Sequence, residues 1–145
     1  ELIELQGIHV MSIHRNTDEV LDFLDEVGAN LDVLIIGAGW ANHLTGTCDA
    51  FLRYSLKNTS TVVIGVAFAD EKDELKTLTA IRSIQHVPGT QVLFEGFVGE
   101  KGFTQAVERA VTGVLPTLKL HEPKPSWHGT ADEALELIKQ IKQKS

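Results

Sequence analysis

Three short stretches carry the side chains that could do chemistry. Ser12-Ile13-His14-Arg15 puts a hydroxyl, an imidazole and a guanidinium within a few residues. A hydroxyl and a guanidinium beside free helix amides suit a phosphate. An imidazole, which titrates at about 6.5 when unperturbed, suits proton transfer near neutral pH. Taken alone, the tetrapeptide reads more readily as a solvated loop with a surface histidine and arginine. In the second stretch, Gly37-Ala38-Gly39 is a tight turn with Asn42 and His43 behind it. Turn glycines let backbone amides approach a ligand, and the helix start that follows favours an anionic group. The turn is not a dinucleotide fingerprint, because Asn42 stands where the last glycine of G-x-G-x-x-G belongs and the next strand ends without an acidic residue. Its plainer reading is a close strand-to-helix turn, with His43 as a cap or core residue. The third stretch, Ser83-Ile84-Gln85-His86-Val87-Pro88-Gly89, is a helix end running into a Pro-Gly turn. It is either a second rim loop over a ligand or an ordinary helix stop whose His86 complements the dipole.

Apolar runs and amphipathic stretches alternate along the chain and must position these loops. The spacing predicts a helix end over 1–6, a strand over 8–12 and a helix over 17–27, with Asn16 and Glu19 forming a capping box and Gly28 as its stop. A strand over 33–36, a helix over about 44–56 and a strand over 61–66 follow. After a charged connector come a helix to about Ile84, a strand over 91–94 and a helix over 103–114. Alternation at this spacing implies a parallel sheet with helices on both faces, a flavodoxin-like or Rossmann-like three-layer α/β sandwich. Pro116, Pro123 and Pro125 mark an extended connector, and Thr130 with Glu133 opens a final helix to about Lys142. The expected organisation is an α/β domain over 1–115 and a proline-rich arm with a helix over 116–145, the latter packing on a neighbouring subunit.

Composition narrows the partners. Lys and Arg total 13 against 20 Asp and Glu, and the resulting charge of −7 disfavours nucleic acid or an anionic membrane. Any anionic ligand must be held locally. Hydrophobic residues at 43% and charged residues at 23% fit an ordinary globular domain of 145 residues. No apolar run approaches the roughly 20 residues that span a bilayer, and no signal peptide opens the chain, so the expected location is the cytoplasm. Cys48 is the single cysteine, which leaves neither an internal disulfide nor a multi-cysteine zinc site. His121 and His128 lack regular ligand spacing with an acidic partner, and no metal is expected.

The order and spacing of the loops resemble the PurE family, the N5-carboxyaminoimidazole ribonucleotide mutases and aminoimidazole ribonucleotide carboxylases of purine biosynthesis. The family runs S-A-H-R, then G-A-G-G-A-A-H-L-P-G, then V-I-G-V-P, then S-I-V-Q-M-P-G. Here the counterparts are Ser12-Ile-His-Arg15, Gly37-Ala-Gly-Trp-Ala-Asn-His-Leu-Thr-Gly46, Val63-Ile-Gly-Val-Ala67 and Ser83-Ile-Gln-His-Val-Pro-Gly89. The resemblance spans about Gly7 to Val114.

That resemblance implies an isomerase or lyase acting on an aminoimidazole ribonucleotide, moving a carboxylate from N5 to C4. It implies His14 as the acid-base residue and Ser12 with Arg15 at the 5′-phosphate. Gly37, Ala38, Gly39, His43 and Leu44 would line the base and CO2 pocket. It implies no metal, flavin or nucleotide cofactor, and a homo-octamer with active sites at subunit contacts. The departures fall at the site: Trp40 replaces a glycine, Asn42 an alanine, Thr45 a proline and Ile13 an alanine. The family's opening strand and G-S-x-S-D loop have no counterpart in the sequence. A repurposed homologue that binds a phosphorylated metabolite without mutase activity is the alternative expectation.

Overall fold

The computed structural model describes residues 3–143. In chain order its elements are α1 (Thr17–Glu26), β1 (Val33–Ala38), α2 (His43–Ala50), β2 (Val62–Ala67), α3 (Glu74–Gln85), α4 (Gly99–Thr112) and α5 (Ala131–Gln143). β1 and β2 run parallel, in register from Val33 opposite Val62 to Ala38 opposite Ala67. Because successive strand side chains point to opposite faces, the alternating residues feed two separate cores. Val62, Ile64 and Val66, with Val33 and Ile35, pack against Ala106 of α4. Val63, with Leu34 and Ile36, packs against Val20 and Leu24 of α1 and against Cys48 and Leu52. Helices therefore cover both faces of the parallel pair, the three-layer α/β arrangement expected from the sequence. A third cluster, around Ala67, Ala80 and Ile84, seats α3.

Several expected elements take a different form. Ile8 to Ser12, expected as a strand, has no regular structure, and Ile8 and Val10 are exposed. Among the described residues no strand lies alongside to complete its ladder, and the outer edge of β1 is likewise unpaired. The helix end expected over 1–6 is absent from Ile3 to Gln6, and its first two positions lie outside the described residues. Asn16 does not close a capping box on α1. Its Oδ1 instead accepts from the backbone N–H of Ser12 at 3.0 Å, which shapes the loop before the helix. The segment expected as a strand over 91–94 is reduced to one parallel bridge, Leu93 on Ile64, and a second bridge, Val98 on Ala67, lies beyond it. The glycine turn expected after residue 36 is partly strand, because β1 continues through Gly37 and Ala38.

The long helix expected over 44–56 begins at His43 and passes at Phe51–Ser55 into a π-helical turn. That turn brings Arg53 back over Asp49, its Nε donating at 3.1 Å, with both side chains about 1% exposed. Arg53 also donates to the carbonyls of Asn58 and Thr61, while Asp49 Oδ2 accepts from the N–H of Gln91 at 2.8 Å and from Thr90. The pair thus bolts the end of α2 to the start of β2 and to the bridge-forming segment. Beyond α4, Leu118 packs into the α4-side core and Lys119 exchanges two hydrogen bonds with the Gln91 side chain. α5 starts as expected: Thr130 N–H donates to Glu133 Oε2 at 2.7 Å and Glu133 N–H donates to Thr130 Oγ1 at 3.3 Å, a reciprocal capping box. Among the described residues, no helix is long and apolar enough to cross a membrane.

Candidate active site

The loop before α1 is wound tightly by its own backbone. The carbonyl of Ser12 accepts from the N–H groups of Arg15 and Asn16 at 3.1 and 2.7 Å, and Thr17 Oγ1 donates to the carbonyl of Ile13. This turn leaves Ile13 against the α1-side core and throws His14 and Arg15 outward into solvent. The Arg15 guanidinium has no hydrogen-bond or ion-pair partner among the described residues and is available to an anion.

His43 is the first residue of α2, where backbone N–H groups lack partners within the helix. Its Nδ1 lies 2.8 Å from Nε2 of His14, with ring centroids 5.0 Å apart and planes 57° to one another. One nitrogen must donate and the other accept, so each ring dictates the tautomer of the other. His43 is therefore neither cap nor core residue. The structure brings together two of the three sequence loops, 12–15 and 37–43, through this contact. His86 in the third loop makes no hydrogen bond to the pair; at the end of α3, where Arg82 Nη1 lies 3.1 Å from its Nε2, it lines one open groove together with His43.

The cap of α2 belongs to Asn42, which is buried together with Thr45. Asn42 Oδ1 accepts from both the N–H and the Oγ1 of Thr45, at 3.2 and 2.9 Å, and the Thr45 hydroxyl also reaches the carbonyl of Ile36. These are two of the positions at which the sequence departs from the PurE pattern, and they form one device. A proline at 45 would have no N–H to offer, and an alanine at 42 would have no acceptor. Together they replace a rigid first turn by a hydrogen-bonded one. An asparagine just after the turn and just before the helix was the sequence signal for this cap.

The turn glycines serve different ends. A Cβ on Gly37 would strike the rings of Phe68 and Phe103, so any larger residue there must displace those side chains. Ala38 uses its carbonyl to accept from the N–H of Phe68 at 2.9 Å. At Gly39 a Cβ would make an ordinary contact with Phe68. Leu44 is half-buried and packs on the α1-side core. Trp40 carries the backbone conformation that a glycine would adopt freely, with φ of 55°. Its ring is 67% exposed and lies under the ammonium of Lys76, 4.4 Å away, at the start of α3. Among the described residues no group of three or more His, Cys, Asp or Glu is arranged to hold a metal ion. Cys48 is buried, and burial pushes its thiol up to about 12, so it is inert as a nucleophile.

A family model described as AIR carboxylase matches residues 3–97, well over half of the chain, and takes in both histidine loops. The chain belongs to the AIR carboxylase family. Membership gives it a general role in purine biosynthesis and an imidazole ribonucleotide as the kind of substrate its family binds. A comparison with curated proteins finds no match. The matched region of this AIR carboxylase homologue stops within the segment before α4, so α5 and its connector lie outside it.

Proposed function

We propose that the chain moves a carboxylate from N5 to C4 of carboxyaminoimidazole ribonucleotide, with His14 as the acid-base residue. The observation that carries this reading is the 2.8 Å contact between His14 and His43 at the amino end of α2. A group that must give one proton and take back another works best when a second titratable ring fixes its tautomer and orientation. When the N5–carboxyl bond breaks, CO2 leaves and N5 takes a proton from His14. When C4 attacks the confined CO2, the C4 proton passes to the same nitrogen, so the residue returns to its starting state. Ser12 and the Arg15 guanidinium hold the 5′-phosphate, and the 37–39 turn, His43 and Leu44 wall the base. The reading needs no metal or cofactor, and it carries the closed homo-octamer implied by the family resemblance, with an α/β domain over 1–115 and an assembling arm over 116–145.

His14→Asn tests it. The variant keeps its melting temperature and loses mutase activity by about 10²- to 10⁴-fold, the scale of one positioned proton-transfer group, while His86→Asn stays near wild type. Equal activity of wild type and His14→Asn removes the assignment. A second reading, metabolite binding without transfer, draws support from the open, Trp40-flanked rim. It requires calorimetric binding of the ribonucleotide with no turnover in either protein.

A further inference from the structure

Trp40 is unfavourable twice over. Its backbone has a φ of 55°, a region that crowds the Cβ of any residue but glycine, and its ring is 67% exposed, which leaves a large apolar surface in water. A bulky residue persists in such a conformation only where its surroundings over-determine it, and such residues gather at ligand sites.

The surroundings of Trp40 do fix it. The carbonyl of Ala38 accepts from the N–H of Phe68 at 2.9 Å and from Asn42 Nδ2 at 3.4 Å, which ties the turn to the end of β2 on one side and to the cap of α2 on the other. One face of the indole carries the Lys76 ammonium, 4.4 Å away. That ammonium is itself held by Asp70 Oδ2 at 3.3 Å and by Asp73 Oδ2 at 3.7 Å. Asp73 caps α3 by accepting from the N–H groups of Leu75 and Lys76, and the N–H of Asp70 donates to Thr77 Oγ1 at 2.8 Å. Lys76 thus has its charge matched by two carboxylates and serves to anchor the ring.

Trp40 follows the carboxyl end of β1, and the helix that supplies Lys76 follows the carboxyl end of β2. The ring therefore stands at the mouth between the two strand ends, where open α/β sheets take their ligands. His43 is three residues further on, and its N–H donates to the carbonyl of Ala41 at 2.7 Å, which folds the chain tightly between the indole and the histidine pair. With Lys76 on one face, an exposure of 67% leaves the opposite face of the ring to solvent.

We infer that this open face of Trp40 is a stacking platform for the heteroaromatic base of the ribonucleotide, and that it sets the preference of the rim for ligands that carry such a base. The inference rests on the reading of this rim as a ribonucleotide site. The chemistry of the two faces agrees with it. An ammonium on one side draws on the negative π-face and leaves the other side less negative. An electron-rich ring such as a 5-aminoimidazole stacks well on a surface polarised in this way, and stacking takes apolar area of the indole out of water. A sugar phosphate without a base has nothing to place there. The glycine that the PurE pattern carries at this position offers no such surface.

Binding measured on the full chain, apart from turnover, tests the inference. Trp127→Phe leaves Trp40 as the single indole. In that background 5-aminoimidazole ribonucleotide is expected to quench the emission saturably, and ribose 5-phosphate to leave it unchanged. By calorimetry, Trp40→Leu and Trp40→Gly each weaken ribonucleotide binding by about tenfold or more, the scale of one base–aromatic stack. Trp40→Phe weakens it by clearly less, and the affinity for ribose 5-phosphate is the same in all of these proteins. The glycine variant relieves the backbone, so a loss shared with Trp40→Leu belongs to the ring. Lys76→Met moves the ribonucleotide affinity in the same direction and to a smaller extent; no movement overturns the anchoring. Ribonucleotide binding that is indifferent to Trp40→Leu, tighter in Trp40→Gly, or silent in the emission overturns the platform and leaves the proposed reaction standing. A wild type that binds neither compound overturns both. Trp40-dependent binding without turnover upholds the platform and overturns the transfer.

Discussion

On the carboxyl side of α2, Asp49 and Arg53 are 1% and 2% exposed and their charged atoms are met by Asn58, Thr61, Thr90 and Gln91. At the amino end of the same helix, the His14 and His43 rings stand in solvent and bond to each other, beside an Arg15 guanidinium with no partner among the described residues. One helix thus joins two polar clusters of opposite design. The buried one has its hydrogen-bonding capacity committed and holds elements together, and burial lowers the Arg53 pKa against the pull of Asp49. The exposed one keeps capacity in reserve, which is what a binding rim needs. The contrast separates a committed cluster, which ties elements together, from an uncommitted one, which is the proposed site.

The sharpest way to break that comparison is to strip one partner from each cluster. Arg53→Ala leaves Asp49 buried without its counter-ion, and a urea titration is expected to show a loss of about 3–5 kcal/mol. His14→Asn is expected to leave the same titration unchanged. If both variants unfold alike, the two clusters are not different in kind.

The cap between them offers a finer test. Asn42→Ala removes an acceptor from two donors of Thr45 and is expected to cost about 1–2 kcal/mol. Asn42→Ala combined with Thr45→Pro removes donor and acceptor together and is expected to cost less than the sum of the single changes, read as a double-mutant cycle in thermal melts. Strict additivity shows that the two residues do not act as one device.

The smallest effect concerns Trp40. The left-handed backbone of a non-glycine residue costs about 1–2 kcal/mol, and an exposed cation–π contact with Lys76 returns about 0.5–1 kcal/mol. Trp40→Gly is therefore expected to raise stability by less than about 1 kcal/mol. A clear fall in the melting temperature instead makes the Trp40–Lys76 contact a structural element of the rim.

Local pattern in the sequence sufficed for the alternation from α1 through β1, α2 and β2 to α3, for the capping box at Thr130 and Glu133, and for the ordered loops that carry the family. Each is a local pattern, and local patterns of hydrophobic period, turn residues and motif spacing survive without knowledge of what lies across the sheet. Tertiary structure alone decided that Ile8 to Ser12 stays irregular, because a strand exists only when a neighbour completes its hydrogen bonds. It also decided that Asp49 and Arg53 are interior, since an acidic and a basic residue at helical spacing usually mark a solvated face, and here the π-turn and the Gln91 segment enclose them. The meeting of His14 with His43, 29 positions apart, belongs to the same class. Sequence supplied the residues, and the packing of α1 and α2 into one core cluster set the distance between them.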